Sequence, residues 1–115
     1  MRSDQQPFPI AVRTGWVDYS PALCSHASQR IRSGLAEFAS QIRSVAVRFS
    51  ADEPYTIAHR RCDIEVMTTH AGPIAAWSVG VDLSTLVDRA LETVVEMLRQ
   101  RTTTHPHAEL RRRIA

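Results

Sequence analysis

The apolar positions change their period several times along the chain, and each change marks an element. Phe8, Ile10 and Val12 fall on one face of an alternating stretch, which predicts a short strand. Residues 15–18 then read as a loop. Ser20 followed by Pro21 is a helix start, because a serine side chain caps free amides and proline suits the first turn. Leu23, Ala27, Ile31, Leu35, Phe38 and Ile42 recur at steps of three or four and form one helical stripe. His26, Gln29, Ser33, Glu37 and Ser40 lie off it. Gly34 sits within this pattern at a helix-propensity cost of ~1 kcal/mol relative to alanine, which points to close packing there.

Alternation resumes at Val45, Val47 and Phe49, a second strand. Residues 50–60 contain Pro54 and several polar side chains and read as a loop. Cys62, Ile64, Val66 and Thr68 alternate with Arg61, Asp63, Glu65 and Met67, a third strand with one buried and one mostly wet face, as in antiparallel sheets. His70-Ala71-Gly72-Pro73 is a turn signal. Residues 74–79 form a fourth strand, with Ala75, Trp77 and Val79 on one side. Asp82 or Ser84 can cap a last helix, whose stripe is Leu83, Leu86, Val87, Ala90, Leu91, Val94 and Leu98. The pattern divides the chain into a loose lead-in over 1–7, a domain over 8–101 and a polar, flexible basic tail over 102–115, broken by Pro106.

The predicted fold class is α+β, in the order β-α-β-β-β-α. A four-stranded sheet with two helices packed on one face buries every apolar face at once. The first helix carries a right-handed crossover between two parallel strands, and short turns join the later strands antiparallel.

Composition narrows the function. The 115 residues are 43% hydrophobic and 23% charged, the profile of one globular domain. No apolar run reaches the ~20 residues of a membrane helix, and the polar start has no secretory core. Cys24 and Cys62 are too few for a disulfide framework and read as reduced core thiols, so the expected setting is the cytoplasm. The spacings Cys24-x-His26 and His105-x-His107 match no structural zinc site, so no metal is expected. Neither a phosphate-binding glycine loop nor a catalytic constellation appears, so the reading is of a non-enzyme with no cofactor and no small-molecule substrate.

Charge is uneven. All 14 basic residues are arginine. Residues 99–115 carry Arg99, Arg101, Arg111, Arg112 and Arg113 against Glu109, a net +4, while residues 1–98 carry nine arginines against eleven acids, a net −2. Arg30 reads either as a phosphate contact or as a side chain covering the core edge. His26 lies one turn before it on the same side, so the two can share a patch. Arg99 and Arg101 complement the helix dipole, which explains them without a ligand. Asp88, Arg89, Glu92, Glu96 and Arg99 form a solvated, mixed-charge face. The Arg111–Arg113 run can follow phosphates or serve as a solubilising tail. Trp77 reads as core or edge packing, and Trp16 remains open.

The element order and three landmarks resemble the ribosome hibernation-promoting factor family, also called ribosome-associated inhibitor A or protein Y. They are Ile10–Val12 followed by Ser20-Pro21-Ala22-Leu23 and Arg30-Ile31, then Ile64-Glu65-Val66 with its turn and the alanine-containing fourth strand, and then Asp82-Leu83-Ser84-Thr85-Leu86-Val87-Asp88. The likeness spans residues 8–101 and is to a short, divergent form without the second domain of long members. It implies binding to the small ribosomal subunit and its rRNA, in the channel of messenger and transfer RNA, with inhibition of translation or hibernation under stress. The implied RNA-binding residues are His26, Arg30, Arg99, Arg101, Arg111, Arg112 and Arg113, with no catalytic residue. Ser84 stands where the family has tyrosine, and Thr93, Glu96 and Met97 stand where it usually has basic residues and then glutamine. Ser33 and Gly34 replace further basic positions. These departures keep an alternative open: a protein-interaction module of the same fold that has lost RNA binding.

Overall fold

The computed structural model describes residues 8–15, 20–51 and 60–114, with side chains as far as Arg101. The elements are β1 (Ile10–Thr14), α1 (Pro21–Gly34), a 3-10 segment (Ala36–Gln41), β2 (Ile42–Ala51), β3 (Arg60–Thr68), β4 (Pro73–Gly80) and α2 (Leu83–Ile114). This is the expected α+β order. The sheet runs β1-β2-β3-β4, with β1 parallel to β2 and the other pairs antiparallel. Both helices cover one face, α2 lying on β3 and β4 and α1 on β1 and α2.

Local chemistry accounts for the boundaries. Ser20 Oγ accepts from the Leu23 amide at 3.1 Å, and Pro21 occupies the first turn of α1. Asp82 caps α2, accepting from the Ser84 amide at 3.3 Å and from Thr85 Oγ1 at 2.7 Å. Between β3 and β4 the chain turns through Gly72 at φ +79°, a left-handed conformation that glycine adopts without a Cβ penalty. The buried Thr68 hydroxyl donates to Gly72 O at 2.7 Å and accepts from the Ala71 amide at 2.9 Å, which closes that turn.

The stripe that reads as one helix to Ile42 is divided. α1 stops at Gly34, Leu35 caps it, and a 3-10 segment carries Phe38 into the core before Ile42 opens β2. All four of Ile31, Leu35, Phe38 and Ile42 are buried, so the burial pattern survives the change of element. Gly34 marks a close approach of the helices: a Cβ there would stand 2.8 Å from Leu91 Cδ2.

The core is continuous, with Phe8, Phe49, Ile64, Val66, Leu86 and Leu98 among its most enclosed members. Arg32 ties the start of β1 to α1, donating from Nη1 to Phe8 O at 3.2 Å with its guanidinium 5.8 Å from the Phe8 ring centre. The α2 backbone remains helical to Ile114, past Arg101 and through Pro106, where the polar composition reads as a tail. An established helix adds one hydrogen bond for each further residue it fixes, and Ala108, Glu109, Leu110 and the arginines after them favour the state.

β4 decides one open expectation, that Trp77 packs in the core or at an edge. Ile74 and Ala76 face the helices, while Ala75, Trp77 and Val79 face away, and Trp77 is 58% exposed. It is not a core residue. After Ile74 the inner row is small, Ala76, Ser78 and Gly80, where α2 comes close: Ser78 Oγ donates to Leu86 O at 2.7 Å, and a Cβ on Gly80 would stand 3.1 Å from Leu86 Cδ2.

Candidate nucleic-acid interface

Four of the seven arginine and histidine positions singled out in the sequence have described side chains, and they do not form one cluster. Arg30 is exposed on α1 and donates from Nε to Asp88 Oδ1 of α2 at 2.8 Å. Its side chain stays 50% accessible, with donors left over for a further partner. Asp88 and Arg99 are eleven residues apart, so Arg30 lies about 16 Å along the α2 axis from Arg99. Arg99 is exposed and has no ion-pair or hydrogen-bond partner among the described residues. Arg101 is committed to structure, donating from Nη1 to Ala71 O at 2.7 Å and fastening α2 to the β3–β4 turn.

His26 is half-buried, and its Nε2 atom is enclosed without a hydrogen-bond partner. It therefore does not extend an exposed patch with Arg30. The side chains of Arg111, Arg112 and Arg113 lie outside the described residues, as does Trp16. Between Leu83 and Arg101, α2 carries Asp88, Glu92 and Glu96 against Arg89, Arg99 and Arg101, so this stretch balances to zero. The outer helical surface is mixed in sign.

The opposite face of the sheet holds basic residues that the sequence reading did not single out. Burial alternates along β1 and β2, which turns Arg13 and Arg48 away from the core, and both are exposed. On β3, Arg61 donates from Nε to both carboxylate oxygens of Asp63 at 3.0 Å, with Nη2 a further 2.8 Å from Oδ1. The same guanidinium lies 4.6 Å from the Trp77 ring centre. The signal was the parity of each strand: Arg13, Arg48 and Arg61 all fall on the positions that alternate with the inward-facing set.

Of the cysteines, Cys62 is fully buried and Cys24 half-buried, and neither is in a disulfide. Burial pushes the Cys62 thiol up to about 12, helped by the negative charge of Asp63. No group of three or more metal-ligating side chains occurs among the described residues, and none of their helices is long and apolar enough to cross a membrane.

This arrangement, a mixed four-stranded sheet with two helices on one face and one bare face, defines a class of small α+β domains. A ribosomal subunit interface protein from Coxiella burnetii superposes with a TM-score of 0.71 at 18% identity, covering 83% of this chain and 98% of that one. The N-terminal domain of Protein Y from Thermus thermophilus superposes with a TM-score of 0.65 at 15% identity, covering 80% and 97%. At these identities the likeness is one of fold. No family model matches the sequence and no curated protein matches it.

Proposed function

We propose that this chain is a ribosome-associated factor that binds small-subunit rRNA and holds translation idle under stress by occupying the path of messenger and transfer RNA. The observation that carries the reading is the extent of the fold likeness: nearly the whole of a ribosomal subunit interface protein is matched, at a TM-score of 0.71. No bond is made or broken in such a role. A compact domain excludes RNA by volume, and cationic side chains supply affinity by releasing counterions from phosphates. Arg30, Arg99 and the Arg111–Arg113 run are the helical candidates, with Arg101 held at its carbonyl and His26 a minor contributor.

Co-sedimentation of the full chain with purified small subunits, repeated between 50 and 200 mM salt, tests the reading. About five phosphate contacts give a log–log slope on the order of −3 to −5. Arg99→Glu should weaken association markedly without unfolding, because its side chain is exposed and holds nothing else in place. A flat salt dependence would overturn the rRNA contact.

The Arg30–Asp88 pair favours the second reading, a protein-interaction module of the same fold. It neutralises the only α1 arginine of the implied site, on a helical surface already mixed in charge. Under that reading subunits fail to pellet the chain even at low salt, and a protein partner is retained.

A further inference from the structure

The geometry points to a second nucleic-acid surface on the bare face of the sheet, one that takes a short single-stranded segment by gripping phosphates at Arg13 and Arg48 and stacking a base at Trp77. It rests on the ribosomal reading only in the choice of RNA as polymer; the surface is separate from the helical arginines and is tested apart from them.

Arg13 and Arg48 are register partners on the adjacent parallel strands β1 and β2. Neighbouring strands lie about 4.8 Å apart, so two full positive charges stand side by side on one face. Like charges directly opposite each other destabilise a sheet. Neither arginine has a hydrogen-bond or ion-pair partner among the described residues. The carboxylate opposite Arg48, Asp63 on β3, is bound through both oxygens by Arg61 rather than by Arg48. An arginine pair with no partner among the described residues suits an anion with several oxygens, and guanidinium forks match phosphate in shape as well as charge.

The same cross-strand row leads to an aromatic. Arg13, Arg48, Asp63 and Trp77 follow one another by register across all four strands. Trp77 is 58% exposed, on a face that spends no core packing on it. Arg61 holds one end of the arrangement steady, bound to Asp63 and lying over the indole. An indole backed by a guanidinium is a stacking platform for an unpaired base. The next row, Ala11, Ala46, Glu65 and Ala75, has three short side chains out of four, which keeps the surface open. A concavity of about 530 Å³ lies between Arg13, Arg48, Arg61, Asp63 and Glu65. Its carboxylates disfavour an acidic peptide along the whole row, whereas a nucleic acid can place its phosphates at the β1–β2 end and its base at the β4 end.

A fluorescein-labelled single-stranded hexauridylate, titrated with the full chain at low salt and read by anisotropy, is the probe. Arg13→Ala with Arg48→Ala should weaken binding at least tenfold and reduce the salt slope by about 1.4, at ~0.7 per phosphate lost on a single strand. Trp77→Ala should weaken it on the order of tenfold, while Trp77→Phe retains most of the affinity. A duplex of equal length should bind less well, since its bases are already stacked, and inorganic pyrophosphate should compete only weakly. Circular dichroism confirms folding, and Arg13→Gln with Arg48→Gln serves as the milder pair. The inference is overturned if the hexauridylate does not bind, if an acidic peptide binds in its place, or if Arg99→Glu abolishes binding while the sheet variants leave it unchanged. Subunit co-sedimentation by an unsubstituted chain that does not bind the hexauridylate refutes this surface and leaves the ribosomal reading standing.

Discussion

Arg30 and Asp88 are 58 residues apart in the chain, yet the Arg30 Nε lies 2.8 Å from Asp88 Oδ1, joining α1 to α2 on the solvent side. Both side chains remain substantially exposed, at 50% and 41%, so the pair contributes at most ~1 kcal/mol to stability. Its greater effect is on charge. Asp88→Asn should leave the urea midpoint nearly unchanged and raise small-subunit affinity about fivefold at low salt, the order of one like charge removed at contact distance in water. An unchanged subunit affinity on this substitution would mean that the α1–α2 face does not meet the rRNA.

The approach of the helices at Gly34 leads to a stability prediction. Alanine gains up to ~1 kcal/mol in helix propensity, but its Cβ would press on Leu91 Cδ2 at 2.8 Å and Cγ at 3.3 Å within the core. Overpacking of this kind costs ~1–3 kcal/mol. Gly34→Ala should therefore be net destabilising by about 1 kcal/mol, and Gly34→Val by more. In a double-mutant cycle with Leu91→Ala the costs should fail to add, because the smaller partner makes room. Strict additivity in chemical denaturation would show that the helices relax apart freely.

Cys62 gives the fold a sensitivity to alkaline pH. Its thiol is pushed up to about 12 by burial, from an ordinary value near 9. The folded chain thus holds this proton where the unfolded chain releases it. The contribution is fully present below pH 9 and is lost as pH rises toward 12, at a slope of about 1 kcal/mol per pH unit. Stability measured between pH 8 and 11 should decline, and Cys62→Ala should flatten the decline while lowering the plateau. Alkylation adds a kinetic check: Cys24 should react readily in the native state, and Cys62 only as the chain opens.

The β3–β4 turn depends on one buried hydroxyl. Thr68→Val keeps the shape but removes the donor to Gly72 O and the acceptor for the Ala71 amide. Loss of both should cost about 1–3 kcal/mol. Gly72→Ala should cost about 1 kcal/mol through its left-handed backbone. Arg101 grips the same turn at Ala71 O, so Arg101→Ala should speed amide exchange there.

Much of this architecture is legible in the sequence because periodicity is a direct trace of burial. The stripes of both helices, the Ser20 and Asp82 caps, the turn at Gly72 and the tight fit at Gly34 all follow from residue type and spacing. The end of α1 does not, since Leu35, Phe38 and Ile42 keep a helical rhythm through a 3-10 segment and into a strand. For Trp77 periodicity leaves core and edge packing open, and the structure places it on the outer face of the edge strand β4. The inner row of β4 is small where α2 approaches closely, which leaves the largest apolar side chain outside. The site is less legible still. Spacing places Arg30 and Arg99 on helices but says nothing of the Asp88 carboxylate that reaches Arg30 from another element. It also cannot show that Arg13 and Arg48, 35 positions apart, become neighbours once two strands run parallel.

Because the strands are arranged in space in the same order as along the chain, each one can dock onto its predecessor as synthesis proceeds. β2, β3 and β4 join through successive antiparallel pairings, and only the β1–β2 pairing must wait for an intervening helix. Topology of this kind keeps entropic penalties for closure small and favours rapid, cotranslational assembly. α2 is made after all four strands, so the hydrophobic layer over β3 and β4 is covered only once that helix has emerged and packed.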